Sequence, residues 1–219
     1  TDGALGVGPA LGGRFQVTGV EDGFPGLECA RAEDRETGKD VRLYRASIMG
    51  GDADSGTLER RVARSGSFVH KNIVPTVAAG RIGDSAFLAQ MIVDGRRLVD
   101  HLDRRRTADR PFKKADVLNL MGHVVNGVQY ARERLRHGFL CPSNIYVLKT
   151  GRVQIAAYGF DTLRHTVRGR GNELGEWDQG YFAEYDGGID VDIAALGLLT
   201  LQLVTSRPWP DGLRAALQN

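Results

Sequence analysis

The chain has 219 residues, of which 42% are hydrophobic and 26% charged, an ordinary balance for a soluble globular protein. It is long enough for one large domain or two small lobes. The net charge of +2 is too small to indicate nucleic-acid binding. No apolar run approaches the ~20 residues of a membrane span. Cys29 and Cys141 fit no metal-ligand spacing, so we expect two reduced thiols or a single disulfide.

The first half of the chain is predicted to form mainly strands. Residues 1–13 are rich in glycine and have no basic segment followed by an apolar one, so we expect a flexible tail and no signal peptide. A turn containing Gly80 and Gly83 is expected between the last two strands. The expected elements are strands near Phe15–Val20, Leu27–Ala32 and Val41–Tyr44, a helix at Thr57–Phe68, and strands at Ile73–Val77 and Ala86–Val93.

The second half is predicted to be mainly helical. Between Ala115 and Arg134, apolar residues recur at steps of three and four, which predicts a helix with one buried face. That face would consist of Val117, Leu118, Met121, Val124, Val125 and Val128. The other expected elements are a solvated loop at Arg104–Arg106, strands at Ile145–Leu148 and Val153–Ala156, a polar loop at Arg164–Gly188 and a buried helix at Asp192–Thr205. Strands first and helices later predict an α+β protein with a boundary near Asp94–Leu98.

Six short phrases follow one another in a characteristic order: His70–Pro75, Phe87–Leu98, His137–Ile145, Val153–Phe160, Asp192–Gly197 and Thr205–Trp209. Together they resemble a bacterial serine/threonine protein kinase over Arg14–Pro210. The third phrase has the frame of the catalytic loop H-R-D-L-K-P-x-N. The resemblance implies one two-lobe, protein-kinase-like domain with α+β architecture. Its small antiparallel amino-lobe would span 14–94, and its mainly helical carboxy-lobe, which ends before the last helices of the family, would span 95–219.

The resemblance also indicates that the residues needed for phosphoryl transfer are missing. Kinases position phosphates with a lysine–glutamate pair and use an aspartate base, a further lysine and a metal-binding aspartate. The corresponding positions hold Tyr44, Arg61, Phe139, Cys141 and Ala157. The glycines of the phosphate loop have the wrong spacing, at Gly19, Gly23 and Gly26, and Pro25 removes a donor. We therefore expect no kinase activity, no metal and no cofactor.

Other family positions are retained, and the resemblance gives them architectural roles. His137 and Tyr158 would stack inside the carboxy-lobe next to Gly159, and Asp192 would tie the buried helix to the catalytic-loop backbone. A loop-bracing hydrogen bond is the favoured role of Asn144, ahead of metal binding. Around the hinge, the remnants of an adenine site would be Gln90, Met91 and Val93. Asp161 lies four residues past the metal position and is interpreted as a loop residue.

The expected function is that of a pseudokinase in phospho-signalling, acting as a scaffold or allosteric regulator. Its partner would be a protein, such as an active kinase or a phosphopeptide-binding protein. We expect a cytoplasmic location, either as this chain or as the cytoplasmic domain of a larger protein. Thr162 and Thr166, in or near the Arg164–Gly188 loop, are candidate phosphorylation sites because arginines flank that loop.

Two alternatives stay open from the sequence. The first is a pseudokinase that binds ATP without magnesium as a structural ligand, through the hinge around Gln90–Val93. The second is an enzyme that reuses the cleft for different chemistry. Cys141 with His137 is its most suggestive nucleophile and base, although no third orienting group is evident.

Overall fold

The structure is a computed structural model that describes residues 5–6, 11–48, 55–164, 173–182 and 190–208. Five strands form an antiparallel sheet: β1 (Phe15–Phe24), β2 (Leu27–Asp34), β3 (Lys39–Ser47), β4 (Thr76–Ile82) and β5 (Ser85–Met91). Their order in the sheet is β1-β2-β3-β5-β4. Alternating burial along β1, where Phe15 and Val17 point inward, is typical of a half-buried strand.

A helix packs on this sheet, and a second sheet and three more helices make up the rest of the described structure. Helix α1 (Ser55–Ser65) packs against β4 and β5, with Leu58 and Val62 buried one turn apart. The second sheet has the order β6-β7-β8. Its strands are β6 (Gly95–Arg97), β7 (Ile145–Leu148) and β8 (Val153–Ile155), and the remaining helices are α2 (Leu98–Thr107), α3 (Lys114–Arg132) and α4 (Val191–Thr205).

One hydrophobic core joins the two parts of the chain. It contains Leu27 and Tyr44 from the first sheet together with Val124 of α3 and Ile155 of β8. Since burial of apolar area is the main favourable term in folding, the two parts stabilise each other and are not independent lobes on a linker. A smaller apolar cluster lies apart from this core and includes Phe15. No helix in the described ranges is long and apolar enough to span a membrane.

The segment after α1 differs from the prediction. The strand expected at Ile73–Val77 begins at Thr76, and Gly80 lies inside β4 rather than in a turn. The residues before it pair with the other part of the chain: Val74 N donates to Ile155 O at 2.9 Å, and Ile155 N donates to Asn72 O at 2.9 Å. The apolar residues here therefore connect the two sheets, a role that a local pattern does not reveal.

Two further expectations need correction. Leu118 and Val125 of α3 are 63% and 40% exposed, and Leu120, Gly127 and Ala131 share the buried face instead. The basic run Arg104–Arg106 is not a loop but forms the last turn of α2. Positive charges at the C-terminal end of a helix interact favourably with its dipole.

The amino-terminal segment and the expected polar loop also depart from the expectations. Leu5 is buried, and its N–H donates to Glu28 at 3.3 Å, so this part of residues 1–13 is not a free tail. The expected polar loop buries Trp177 and Phe182 within its described part. Both cysteines are buried free thiols.

Asp192 connects α4 to the loop that follows α3. Its carboxylate accepts hydrogen bonds from the backbone N–H groups of His137 and Gly138, both at 2.8 Å. The side chain is almost fully buried, so each bond lies in a region of low dielectric where charge-assisted hydrogen bonds are strong.

Replacing Asp192 by asparagine should lower the free energy of unfolding by about 2–4 kcal/mol, because one amide N–H would then face a backbone N–H. Urea unfolding measures this. The control is Ile193→Ala, at a half-exposed neighbouring side chain, which should change stability by less than about 0.5 kcal/mol. Equal stability of the two variants would show that the carboxylate does not anchor the loop.

Candidate functional site

A cleft lies between the first sheet and the second part of the chain, where the resemblance places the catalytic machinery. It encloses a cavity of about 420 Å³. The upper wall comes from β1, β2 and β3, and the lower wall from β7, α2 and the turn Pro142–Asn144. Its lining residues are Glu21, Asp22, Gly23, Phe24, Leu27, Cys29, Tyr44, Arg97, Val99, Asp100, Asp103, Ser143, Asn144, Tyr146, Glu173, Leu174, Gly175 and Asp178.

Three phenylalanines from distant parts of the chain meet at this cleft. The ring of Phe24, at the end of β1, lies 5.5 Å from that of Phe139 and 6.1 Å from that of Phe182. Phe139 and Phe182 are 5.1 Å apart and nearly perpendicular, a favourable edge-to-face geometry. The position that resembles the catalytic aspartate therefore lies inside an apolar cluster.

Tyr44, which the resemblance assigns to the strand-three lysine position, is buried against other aromatic groups. Its ring lies 6.4 Å from that of Phe160, and burial and the neighbouring Tyr146 raise the pKa of its phenol well above the usual value. The hydroxyl is therefore neutral across the physiological range. No positive charge stands at this position to hold a phosphate.

Arg42 forms the main polar contact across the cleft. Its guanidinium carbon lies 5.0 Å from the ring centroid of Tyr146 on β7, and its Nη1 donates to the phenol oxygen of that residue. Its Nε donates to Glu21 at 2.6 Å. Burial opposes the charge of Glu21, but hydrogen bonds from Arg42 and Arg31 outweigh it and lower the pKa of the carboxyl to about 2. One arginine thus joins β1, β3 and β7.

The same contact restricts the space beside the hinge. A base stacked between two groups needs about 3.5 Å on each face, or roughly 7 Å in total. The guanidinium carbon of Arg42 is only 5.0 Å from the ring centroid of Tyr146, which is too close for a base to stack between them.

The hinge residues are engaged with the protein's own groups. Gln90 turns inward, donating to Val74 O and accepting from Ala157 N, both at 3.1 Å. The N–H of Met91 donates to Pro75 O at 3.0 Å, and Val93 packs on the core.

Arg61 of α1, at the glutamate position, has an acidic partner. It donates to Asp161 at 2.7 Å, so α1 is fixed to the segment after Ala157 by an ion pair. Gly138 leaves no room for a Cβ beside Asp161, and only glycine allows this approach. Burial raises the pKa of Asp161, although Arg61 opposes the change.

Among the residues that the structure describes, no group of three or more His, Cys, Asp and Glu side chains could hold a metal ion.

The positions with architectural roles form one buried network. The ring of His137 lies 4.3 Å from that of Tyr158, which also packs on Phe68 at 5.5 Å. Asn144 is braced within its loop: its Oδ1 accepts from Cys141 N at 3.2 Å, and its Nδ2 donates to Phe139 O. A Cβ on Gly159 would approach the Cα of Val62 to 2.8 Å, so α1 packs directly on this backbone.

Cys141 and His137 are not arranged as a nucleophile and a base. Burial raises the pKa of the Cys141 thiol well above its usual value, so the thiolate is scarce. Both ring nitrogens of His137 contact backbone: Nδ1 accepts from Phe139 N at 3.1 Å, and Nε2 lies 2.9 Å from Ala156 O. Burial lowers the pKa of this imidazole, which is therefore a neutral structural group.

The two candidate phosphorylation sites differ in what the structure describes. The hydroxyl oxygen of Thr162 is buried and has no hydrogen-bond partner among the described residues, so a kinase could reach it only after the segment opened. Thr166 lies outside the described residues. Phosphorylation of either threonine stays a prediction.

Solved structures that share this arrangement include a bacterial kinase domain. The crystal structure of the Mycobacterium tuberculosis PknI kinase domain superposes with a TM-score of 0.70 at 19% identity, covering 95% of this chain and 78% of that one. A mutant of that domain gives 0.71 at 19% identity, with 95% and 80% covered. No protein-family model and no curated protein matches the chain. The chain therefore has a protein-kinase-like fold, with a structural likeness to a bacterial serine/threonine kinase.

Local sequence patterns did not reveal the residues that meet at the cleft, above all Phe24, Arg42 and Phe182. One signal for Arg42 was available. It lies two residues before Tyr44 on the same strand, so both side chains point to the same face, and an arginine on an inward face needs a partner. Phe24 and Phe182 gave no comparable signal, because their contact joins segments about 160 residues apart.

Glu21→Gln should lower the free energy of unfolding at neutral pH by about 1–2 kcal/mol, a value that allows for partial exposure of the pair. The folded state holds the pKa of Glu21 below its usual value of 4.5. Its stabilising contribution is therefore present above that value and is lost as the pH falls toward about 2. Urea unfolding between about pH 7 and pH 3 should show a shallower loss of stability in the variant.

The matched control is Glu33→Gln, at an exposed glutamate on β2. That variant should follow the pH dependence of the original chain. If Glu21→Gln did the same, the carboxylate would not stabilise the cleft contact through its charge.

Proposed function

We propose that the chain is a pseudokinase that transfers no phosphoryl group and acts in cytoplasmic phospho-signalling as a protein-binding scaffold or allosteric regulator. The cluster of Phe24, Phe139 and Phe182 carries this proposal. It places apolar rings where the kinase resemblance requires a base and phosphate contacts. Each lost electrostatic contact to a transition state costs roughly 2–4 kcal/mol, so the combined losses leave little rate above background.

The charge of the cavity supports the same conclusion. Six of its lining side chains carry carboxyl groups, and Arg97 is the one arginine among the lining residues that the structure describes. Arginines outside the lining pair with two of the six, Arg42 with Glu21 and Arg106 with Asp103. The lining still has an excess of acidic groups, which disfavours a strongly negative nucleoside triphosphate. The carboxyl side chains are Glu21, Asp22, Asp100, Asp103, Glu173 and Asp178.

ATP as a structural ligand is the second candidate function. The cavity favours it by size, because pockets for small molecules commonly enclose 300–1,000 Å³. The contact of Arg42 with Tyr146 disfavours it, since a base beside the hinge would have to displace that guanidinium. The carboxyl groups that line the cavity would also repel the phosphates of ATP. A third candidate, an enzyme based on Cys141, has little support because the thiol is buried and its pKa is raised.

Protein binding is favoured because the interior is well braced, and because Arg42 occupies the space over Tyr146 that a nucleotide base would need. The network of Asp192, His137 and Asn144 holds the loop that kinases use for catalysis, yet it presents no reactive group. A fold maintained in this way can act through its surface. Recognition of a protein partner therefore fits the molecule better than turnover of a small substrate.

Thermal unfolding with millimolar ATP, with and without magnesium, should show no rise in melting temperature, because a ligand stabilises a protein only by binding its folded state. Adenosine, which lacks the phosphates, should also give no shift with the original chain. In Arg42→Ala, which uncovers the ring of Tyr146, adenosine should raise the melting temperature.

The control for that experiment is Arg31→Ala. Arg31 also binds Glu21, at 2.6 Å, but leaves Arg42 over Tyr146. This variant should respond to neither compound. A clear shift of the original chain with ATP would refute the closed cleft and favour the nucleotide-binding alternative.

A further inference from the structure

A second concave surface lies away from the cleft, between α1 and the chain that follows α3. It encloses about 480 Å³. We call it the arginine groove, and its lining residues are Thr57, Arg60, Arg61, Ala63, Arg64, Arg134 and Leu135. Four of these seven side chains are arginines, and none of the seven carries a carboxyl group.

Helix geometry and one hydrogen bond bring these arginines together. Residues three and four apart on a helix are neighbours on its surface, so Thr57, Arg61 and Arg64 share one side of α1, and Arg60 is beside them. Arg134 faces them from across the groove. Nη1 of Arg64 donates to the backbone oxygen of Arg134 at 3.1 Å, which ties the two walls together.

Most of this positive charge is not neutralised by the described residues. Arg61 is paired with Asp161, but the other three arginines have no ion pair with a described carboxylate. Arg60 donates to the hydroxyl of Thr57 at 3.2 Å, and Arg134 lies over the ring of Tyr130 at 5.7 Å. Three unpaired guanidinium groups around one concavity repel one another, and a bound anion would relieve that repulsion.

We propose that the arginine groove binds the phosphoryl group of a serine- or threonine-phosphorylated peptide on a partner protein. Planar guanidinium forks match phosphate oxygens in a bidentate geometry, which makes arginine clusters suitable for phosphopeptides. Ala63 and the arginine stems supply apolar surface for the peptide chain. The inference deepens the proposed function, because it names the chemistry of the partner, and its biological meaning rests on that function.

The shape of the groove favours a single phosphoryl group over a larger polyanion. The charges surround one concavity, whereas a membrane or a nucleic-acid backbone requires a basic surface that extends over several phosphates. The net charge of the whole chain is only +2, so general attraction to polyanions is weak.

The test uses the complete chain and a fluorescein-labelled alanine- and glycine-rich peptide with one phosphothreonine, followed by fluorescence anisotropy. The phosphorylated peptide should bind at least tenfold more tightly than the same peptide with threonine. The double variant Arg60→Gln and Arg64→Gln should weaken binding about tenfold or more, and Arg134→Gln should also weaken it. Glutamine preserves helix propensity, and thermal melting checks that the variants fold.

The control is Arg110→Gln, at an exposed arginine with no part in the groove. It should bind the phosphopeptide as the original chain does. Equal binding of phosphorylated and unmodified peptides, or equal affinity of the double variant and the control, would overturn the proposal. The proposal would also be overturned, in favour of those ligands, if the chain bound phosphatidylserine vesicles or duplex DNA more tightly than the phosphopeptide and the double variant lost that binding.

These outcomes are distinct from failure of the proposed function. Phosphoryl transfer by the chain would refute the pseudokinase proposal and leave the phosphopeptide result intact. Conversely, if the arginine groove did not bind phosphopeptides, the proposal that the cleft transfers no phosphoryl group would still stand.

Discussion

The contact of Arg42 with Tyr146 is the constraint on which the functional account depends. It joins β3 of the first sheet to β7 of the second, across the space that a nucleotide base would need. The ion pair with Glu21 holds the guanidinium in place from β1. A cation over an aromatic face is worth about 0.5–2 kcal/mol, depending on its desolvation. The cleft is thus closed by interactions that also stabilise the fold.

The side chains at the positions that resemble the catalytic ones are matched to the packing around the cleft. Phe139 is tolerated inside the loop because Phe24 and Phe182 supply an apolar environment, in which an aspartate would be costly to bury. Arg61 at the glutamate position is tolerated because Asp161 pairs with it. An aspartate at position 139 would therefore lie among phenylalanine rings, and a glutamate at position 61 would face Asp161.

The sequence predicted the architecture well because it depends on local patterns and on phrases with a fixed order. The strands β1, β2, β3, β5, β7 and β8 and the helices α1, α3 and α4 could be found in this way, whereas α2 could not. Side-chain direction was harder to predict: Leu118 was assigned to the buried face of α3, although Leu120 takes that place. The contacts of Phe24 and Arg42 join residues more than 100 positions apart, so they emerge only when both parts of the chain are packed together.

Phosphoryl transfer is the most direct measurement of the central claim that side chains of this protein close its cleft to phosphate chemistry. The purified chain would be incubated with γ-labelled ATP, magnesium or manganese, and a general protein substrate, beside an active bacterial serine/threonine kinase domain. The account predicts no labelled product above the enzyme-free blank. Metal-dependent labelling that increases with the amount of the chain and disappears in Asn144→Ala would contradict it.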